Sequence, residues 1–371
     1  MHRTWLRYAV SLSSLATAAF SRPTSAALIL SWPPLPSARG LPARRSVTRQ
    51  PGQARCSQSS MTARDTRGDG MAGVLFQFKS QSVNLQAFES GPELAARKLL
   101  VLGGLSDGML PCPWVPQLAT ALSHQGWSVV QANLRSSYQQ WGFGSLDEDV
   151  EDVTSLIEHL VRHRSADSLA ICGHSTGSQI IAHLMRTRPH PRVSHVILQG
   201  GVSDRETDDQ DEQSTRGENL ALAAKIAAES PAGGREMMPR NTTWAPITAQ
   251  RYLDLNAKAG ADDYFSSDLT DDELRERFTG CYDSTQVLIA YSAEDEYVPK
   301  SVNKEALLRR LASAMRGQCD RTERATGHRI VPLLVTGGCH ALYAEEAADQ
   351  FIDAAVAFLN DLPVAKSLDL S

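Results

Sequence analysis

Three residues whose side chains could together activate a nucleophile occur in the order serine, aspartate, histidine. Ser175 stands in the middle of a Gly-x-Ser-x-Gly motif, and Asp295 and His340 each follow an apolar stretch of the sequence. A serine hydroxyl becomes a strong nucleophile when a histidine takes its proton and a carboxylate orients that histidine. We therefore predict Ser175 as nucleophile, His340 as general base and Asp295 as the residue that orients His340.

The Gly-x-Ser-x-Gly motif predicts a sharp turn between a strand and a helix. An apolar stretch at 169–172 precedes it, and a helix-like segment at 178–186 follows it. Side chains two positions before and after the serine would collide in such a turn, so Gly173 and Gly177 suit these positions. The strained turn exposes the serine hydroxyl and directs the N–H of Thr176 at the space in front of it. The alternative is an ordinary glycine-rich turn.

A second glycine-rich loop is a candidate partner in stabilising a reaction intermediate. The tetrahedral intermediate of acyl transfer carries an oxyanion, which two N–H donors must hold. We predict the N–H of Thr176 as one donor. The loop Gly103-Gly104-Leu105-Ser106 follows the apolar stretch 98–102, and we predict the N–H of Leu105 as the other. The alternative is a plain turn that Asp107-Gly108 closes.

Other residues near these motifs compete for the same roles. The chain has ten histidines, and His328 is the chief alternative to His340, but it precedes its apolar stretch instead of following it. His174, next to the serine, is predicted to be a packing residue. Glu294 and Glu296 flank the predicted acid and are interpreted as solvated loop charges.

The elements that must position these residues form an alternating pattern of strands and helices. Such alternation predicts an α/β fold with a mostly parallel central sheet that helices flank on both faces. The first two strands are predicted to form a hairpin. Strands are predicted near 74–78, 83–88, 98–102, 127–132, 169–172, 194–199, 286–291 and 330–335, and helices near 114–124, 145–164, 178–186, 302–315 and 344–359.

This alternation stops in a charged, helix-prone segment at about 204–283. We interpret the segment as a lid inserted over the carboxyl edge of the sheet, within one domain spanning residues 71–365. Candidates to line a pocket under this lid are Tyr138, Trp141, Arg205, Trp244 and Arg251. Arginines there would suit a polar or anionic acyl group. The alternative for each is a salt bridge or packing of the lid.

Charge is unevenly distributed along the 371 residues. The net charge is −5. Residues 1–64 hold nine arginines and no lysine or acidic residue, so the remainder carries 28 basic and 42 acidic residues. A protein whose main part has such an excess of acidic residues is a poor partner for nucleic acid. No apolar run reaches the roughly 18 residues of a membrane-spanning helix. The partner that we predict is a small ester substrate.

The first 70 residues resemble a targeting segment more than a folded one. They are rich in Arg, Ser, Ala and Pro, and they lack Asp and Glu before Asp65. This composition is typical of a transit peptide for a chloroplast or mitochondrion, and we expect the segment to be disordered or removed. The alternatives are a secretory signal, or a cytoplasmic protein that starts at Met61 or Met71.

No motif for a cofactor or metal ion stands out. The six cysteines form no C-x-x-C pair, which argues against a zinc site and a disulfide framework. Cys172 is predicted to be a small buried apolar residue. The phosphate-binding, H-E-x-x-H and dinucleotide motifs are absent from the sequence. We therefore predict a reaction without cofactors.

From about Gly73 to Leu362 the chain resembles the α/β-hydrolases. More narrowly, it resembles a little-characterised family in fungi and plants that includes fungal siderophore esterases. The resemblance implies a serine hydrolase, which in some members acts on ester bonds of hydroxamate siderophores. The amino-terminal extension departs from the fungal relatives. The motifs that carry the resemblance lie at 103–108, 173–179, 198–206, 263–269 and 295–299.

Together these patterns predict a serine hydrolase that cleaves a carboxylic ester through an acyl-enzyme. Siderophore-like or other small polar esters are the predicted substrates. One alternative is an acyltransferase that uses the same three residues, because water and an alcohol can both resolve an acyl-enzyme. Another is a non-catalytic ligand receptor built on this fold. A fold alone does not determine a substrate.

Overall fold

A computed structural model describes residues 70–79, 83–278, 285–316 and 329–368 of the chain. These residues all belong to the compact unit that spans Gln50–Ser371. The predicted targeting segment and His328 lie outside the described residues.

The described residues form eight strands and eight α-helices. The strands are β1 (Val74–Lys79), β2 (Leu85–Ser90), β3 (Arg97–Leu102), β4 (Trp127–Ala132), β5 (Ser168–His174), β6 (Val193–Gln199), β7 (Gln286–Ser292) and β8 (Ile330–Val335). The helices are α1 (Val115–Ser123), α2 (Leu146–His163), α3 (Thr176–Thr187), α4 (Gln210–Glu229), α5 (Ala249–Asn256), α6 (Asp271–Phe278), α7 (Lys304–Arg316) and α8 (Glu345–Leu359). A 3₁₀ turn at Tyr138–Gly142 precedes α2.

The strands form one sheet in the order β1-β2-β4-β3-β5-β6-β7-β8. Strand β2 runs antiparallel to both of its neighbours, and every other pairing is parallel. The prediction of a mostly parallel sheet with an initial hairpin is therefore confirmed. The carboxyl ends of β3, β5, β6, β7 and β8 meet at one edge, which brings the loops that follow them together.

Two apolar layers cover the two faces of this sheet. Alternate residues of β3 show the division, because Leu100 and Leu102 pack with α2, α3, α6 and α7, while Leu99 and Val101 pack with α1 and α8. Cys172 is fully buried in the second layer, as predicted, and has a free thiol. Burial on both faces explains why the central strands read as continuous apolar runs.

The segment between β6 and β7 contains α4, α5 and α6. A third, smaller apolar cluster joins α4 and α5 to Trp141 of the 3₁₀ turn. The interpretation of this segment as a lid stays a prediction.

Candidate active site

Ser175 occupies a sharp turn between β5 and α3. Its backbone has φ 53° and ψ −124°, in a region that non-glycine residues rarely adopt. A Cβ on Gly173 would lie 2.3 Å from backbone atoms of Gly177, and a Cβ on Gly177 would lie 2.6 Å from the carbonyl oxygen of Leu102. The two glycines are thus required by the close approach of the backbone. Ser175 is partly exposed, although its immediate neighbours are buried.

His340 and Asp295 are in direct contact. Asp295 lies in the loop after β7 and His340 in the loop after β8, and the distance from Nδ1 of His340 to Oδ2 of Asp295 is 2.8 Å. Both side chains are buried. The carboxylate favours the tautomer with a proton on Nδ1, which leaves Nε2 free to accept a proton. Glu296 also contributes, because its carboxylate accepts the backbone N–H of His340 at 2.9 Å.

The predicted base and the predicted nucleophile lie on adjacent loops. The ring of His340 is 4.7 Å from the ring of His174, which immediately precedes Ser175. The described residues show no hydrogen bond between the Ser175 hydroxyl and the His340 ring. Hydrogen bonds of this kind often tighten only when substrate binds. The structure thus brings the predicted base and acid into contact and the serine into their neighbourhood.

Gln199 is a site residue that the sequence analysis missed. Its Oε1 lies 2.6 Å from Nδ1 of His174, and its Nε2 donates to the carbonyl oxygen of His340 at 3.0 Å. It thereby ties the strand before the serine to the loop that carries the base. Burial and, to a smaller extent, the nearby His340 lower the pKa of His174 to about 3. His174 is therefore neutral. The one available signal is a glutamine that ends a strand directly after three apolar residues, Val196-Ile197-Leu198.

The glycine-rich loop after β3 lies directly over the serine. A Cβ on Gly104 would be 2.7 Å from Cβ of Ser175. The N–H of Gly104 donates to the carboxylate of Asp107 at 2.8 Å, and the N–H of Asp107 donates to the carbonyl oxygen of Gly104 at 3.0 Å. These paired bonds close the loop. Within the described residues the N–H groups of Leu105 and Thr176 have no hydrogen-bond acceptor, so both are available to an oxyanion.

The two predicted substrate-binding arginines are engaged in ion pairs. Arg205 pairs with Asp263 at 2.9 Å and with Asp268. Arg251 is buried, and it donates to the carbonyl oxygen of Trp141 at 3.0 Å and to Asp262 at 2.6 Å. Substrate contact by either guanidinium group would have to displace or share a carboxylate, and for both it stays a prediction.

Of the three aromatic candidates, Tyr138 and Trp244 are exposed, whereas Trp141 is buried. The ring of Tyr138 lies against Gly108, at the end of the loop that covers the serine. Trp244 packs on Trp141 with ring centroids 5.5 Å apart. A small cavity of about 20 Å³ lies between that loop and the 3₁₀ turn, and its lining includes Leu105, Trp141 and Arg251.

Two features are absent from the described ranges: a cluster of potential metal ligands and a membrane-spanning helix. No group of three or more potential metal ligands occurs there. No helix in these ranges is long and apolar enough to cross a membrane.

The chain is similar to two fungal proteins. It is 33% identical over 234 residues to a UPF0613 protein of Schizosaccharomyces pombe, an overlap that covers 59% of this chain and 74% of that protein. It is 29% identical over 296 residues to the fusarinine C esterase sidJ of Aspergillus fumigatus, which covers 66% of this chain and 83% of that protein.

The chain is also similar to a protein of solved structure. The siderophore hydrolase EstB from Aspergillus fumigatus superposes with a TM-score of 0.64 at 25% identity, over 80% of this chain and 99% of that chain. These relatives support a hydrolase, and the fold is that of the α/β-hydrolases. The chain matches the model of the family described as a protein of unknown function (DUF1749) over residues 61–360, and it therefore belongs to that family, whose members include relatives of fungal siderophore esterases.

Proposed function

We propose that this protein is a serine hydrolase that cleaves a carboxylic ester through an acyl-enzyme on Ser175. The observation that carries the proposal is the hydrogen bond between His340 and Asp295, beside a serine in a strained turn. One relative is named an esterase and the other a hydrolase, and both names support the same reaction class.

In the acylation step the Ser175 oxygen attacks the ester carbonyl carbon while Nε2 of His340 takes the hydroxyl proton. The carbonyl oxygen becomes an oxyanion, which the N–H groups of Leu105 and Thr176 stabilise. The intermediate collapses when the bond to the alcohol oxygen breaks, and His340 returns its proton to that oxygen. The products of this step are a free alcohol and an ester of Ser175.

Deacylation repeats these steps with water as the nucleophile. His340 takes a proton from water, the hydroxide attacks the acyl carbon, and the proton returns to the departing Ser175 oxygen. Asp295 stabilises the imidazolium in both halves of the reaction. His174, 4.7 Å from His340, stays neutral and therefore adds no positive charge beside the imidazolium.

We propose small polar esters, including siderophore-like esters, as the substrate class. Support comes from the substrate that is named for the Aspergillus fumigatus relative and from the polar residues that line the small cavity beside the serine. We further propose that the segment at 204–283 acts as a lid over this site. The contact between Trp244 of that segment and Trp141 supports this role.

A panel of small esters, combined with a fluorophosphonate probe, tests the proposed reaction. The wild-type protein should turn over at least one ester and should react covalently with the probe. The Ser175→Ala variant should do neither and should keep its fold. An alcohol acceptor added to the assay separates hydrolysis from acyl transfer. Probe labelling that is as strong in Ser175→Ala as in wild type would contradict the proposal.

A further inference from the structure

Asp107 places a carboxylate beside the candidate nucleophile. Its Oδ2 and the hydroxyl oxygen of Ser175 both lie close to Gly104. A Cβ on Gly104 would lie 3.4 Å from Oδ2 of Asp107 and 3.2 Å from the hydroxyl oxygen of Ser175. Oδ2 accepts the N–H of Gly104 at 2.8 Å. The reaction derived above gives this carboxylate no role.

No lysine or arginine neutralises Asp107 within the described residues. The other oxygen, Oδ1, has no hydrogen-bond donor there, and no lysine or arginine pairs with the group. Asp107 is partly buried, and burial raises the pKa of its carboxyl, while the Gly104 N–H and the charge of His340 oppose this rise. A partly buried carboxylate without a counter-ion is costly, so a cation that reaches it gains a strong partner.

Three exposed tyrosines lie near this carboxylate. Tyr138 covers Gly108, the residue after Asp107. The rings of Tyr297 and His340 pack in an edge-to-face arrangement, with their centroids 4.7 Å apart. Burial raises the pKa of Tyr297 and of Tyr343, and the nearby charge of Asp107 adds to both effects. Aromatic faces attract ammonium groups, so the rings and the carboxylate favour the same kind of ligand.

We propose that Asp107 and these tyrosines form a subsite for an ammonium group that the substrate carries close to its scissile carbonyl. The inference rests on the proposed esterase function. An unpaired negative charge so near Ser175 would oppose the developing oxyanion. A substrate ammonium between the two removes that repulsion and pairs with Oδ1 of Asp107. The subsite therefore selects esters of the amino-acid type over neutral esters of the same shape.

Two benzyl esters of matched shape test this selection. Alanine benzyl ester carries an ammonium group where isobutyric acid benzyl ester carries a methyl group. We expect kcat/KM of the wild-type protein to be at least tenfold higher for the alanine ester, at a pH that keeps its amino group protonated. In Asp107→Asn the ratio of the two kcat/KM values should fall by about tenfold or more. The asparagine can still accept the N–H of Gly104, so this change removes mainly the charge.

Glu294→Gln is the matched control, because it removes one carboxylate from an exposed position next to Asp295. It should keep the preference for the alanine ester. A wild-type protein without that preference, or an unchanged ratio in Asp107→Asn, would overturn the subsite and leave Asp107 only its loop-closing hydrogen bonds.

Probe labelling separates the failure of the subsite from failure of the esterase. In one set of outcomes Ser175 reacts with a fluorophosphonate while the wild-type protein shows no preference for the alanine ester, or while Asp107→Asn leaves the ratio of the two kcat/KM values unchanged. In either case the subsite alone is wrong. If Ser175 does not react, the proposed function is wrong and the subsite fails with it. Should Asp107→Asn not fold, competitive inhibition of the wild-type protein decides. Alanine amide should inhibit at least tenfold more strongly than isobutyramide, and equal inhibition would overturn the proposal.

Discussion

The parallel strands of the central sheet begin at its amino edge and end at its carboxyl edge, and buried charges are paired differently at these two edges. At the amino edge, Glu89 accepts hydrogen bonds from Lys98 at 2.5 Å, from Ser128 at 2.6 Å and from Arg164 at 2.8 Å. Although burial opposes it, these bonds lower the pKa of Glu89. At the carboxyl edge, Asp107 has one backbone donor and no counter-ion among the described residues.

We interpret this difference as one between a structural cluster and the proposed binding site. A buried polar group without a partner costs free energy, so a fold keeps it only where something else supplies the partner. The amino edge is complete within the chain itself. The carboxyl edge holds an exposed hydroxyl, two unused N–H groups and an unpaired carboxylate, which a substrate would complete. Changes at the first edge should therefore affect stability, and changes at the second should affect catalysis.

The largest effect should follow from Asp295→Asn at the carboxyl edge. The amide can donate to the His340 ring and favour the wrong tautomer, and it no longer stabilises the imidazolium. We expect kcat on an accepted ester to fall by about 10³- to 10⁴-fold, with little change in thermal unfolding. Glu294→Gln, at the exposed neighbouring acid, should lower kcat by less than about tenfold. Equal losses in the two variants would contradict the role of Asp295.

At the amino edge, Lys98→Met should affect stability instead. Lys98 is fully buried against Glu89, and the variant leaves that carboxylate with only Ser128 and Arg164. We expect the free energy of unfolding, measured in urea, to fall by about 3 kcal/mol. The kcat of the folded protein should stay within about twofold of wild type. Arg162→Met, which breaks an exposed pair with Glu158, should cost less than about 1 kcal/mol.

Gly104→Ala should separate steric effects at the site from general effects on the fold. Its new Cβ would lie 2.7 Å from Cβ of Ser175, so the loop or the serine must move. We expect kcat/KM to fall by about 10- to 100-fold, because catalysis depends on close positioning. Gly217→Ala in α4 meets no atom within 4 Å and should stabilise the helix by about 0.5–1 kcal/mol. Unchanged kinetics in Gly104→Ala would remove this loop from the site.

The last prediction concerns the pH dependence of stability and Asp149, which lies in α2 behind the site. Burial raises the pKa of Asp149 to about 7, although a hydrogen bond from Ser136 and the charge of Arg251 oppose this rise. The folded carboxyl thus keeps a proton that the unfolded chain releases near pH 4, and its contribution to stability falls as pH rises from about 4 to about 7. Asp149→Asn should remove this loss.

Urea unfolding of wild type and Asp149→Asn across this pH range measures the effect. We expect the difference in the free energy of unfolding to shift in favour of the variant by about 1 kcal/mol per pH unit. Above pH 7 the difference should be constant. A difference that does not depend on pH would show that the folded carboxyl titrates at its ordinary value.

The strands, most helices and the three candidate catalytic residues could be predicted because local patterns specify them. Continuous apolar runs indicate strands buried on both faces, and a strand, a glycine-flanked serine and a helix indicate the turn at Ser175. Ser145 illustrates the same point, since a serine just before an acidic first turn is a local signal for a helix start, and its side chain accepts the N–H of Glu148 at the start of α2.

The partners of the polar side chains could not be predicted, because they come from distant parts of the chain. Gln199 reaches His340, which is 141 positions away. Arg205 finds Asp263 in the segment before β7, and no local pattern indicates that pairing. The Asp107-Gly108 pair was interpreted only as the end of a turn. Its position next to Ser175 depends on how the loop after β3 packs against the loop after β5, and no local pattern indicates that packing.

The most direct test of the account is peptide mapping of the protein after reaction with a fluorophosphonate. The account predicts one adduct, on the peptide that contains Ser175, and its loss in His340→Ala. An adduct on a different serine, with the Ser175 peptide unmodified, would contradict it.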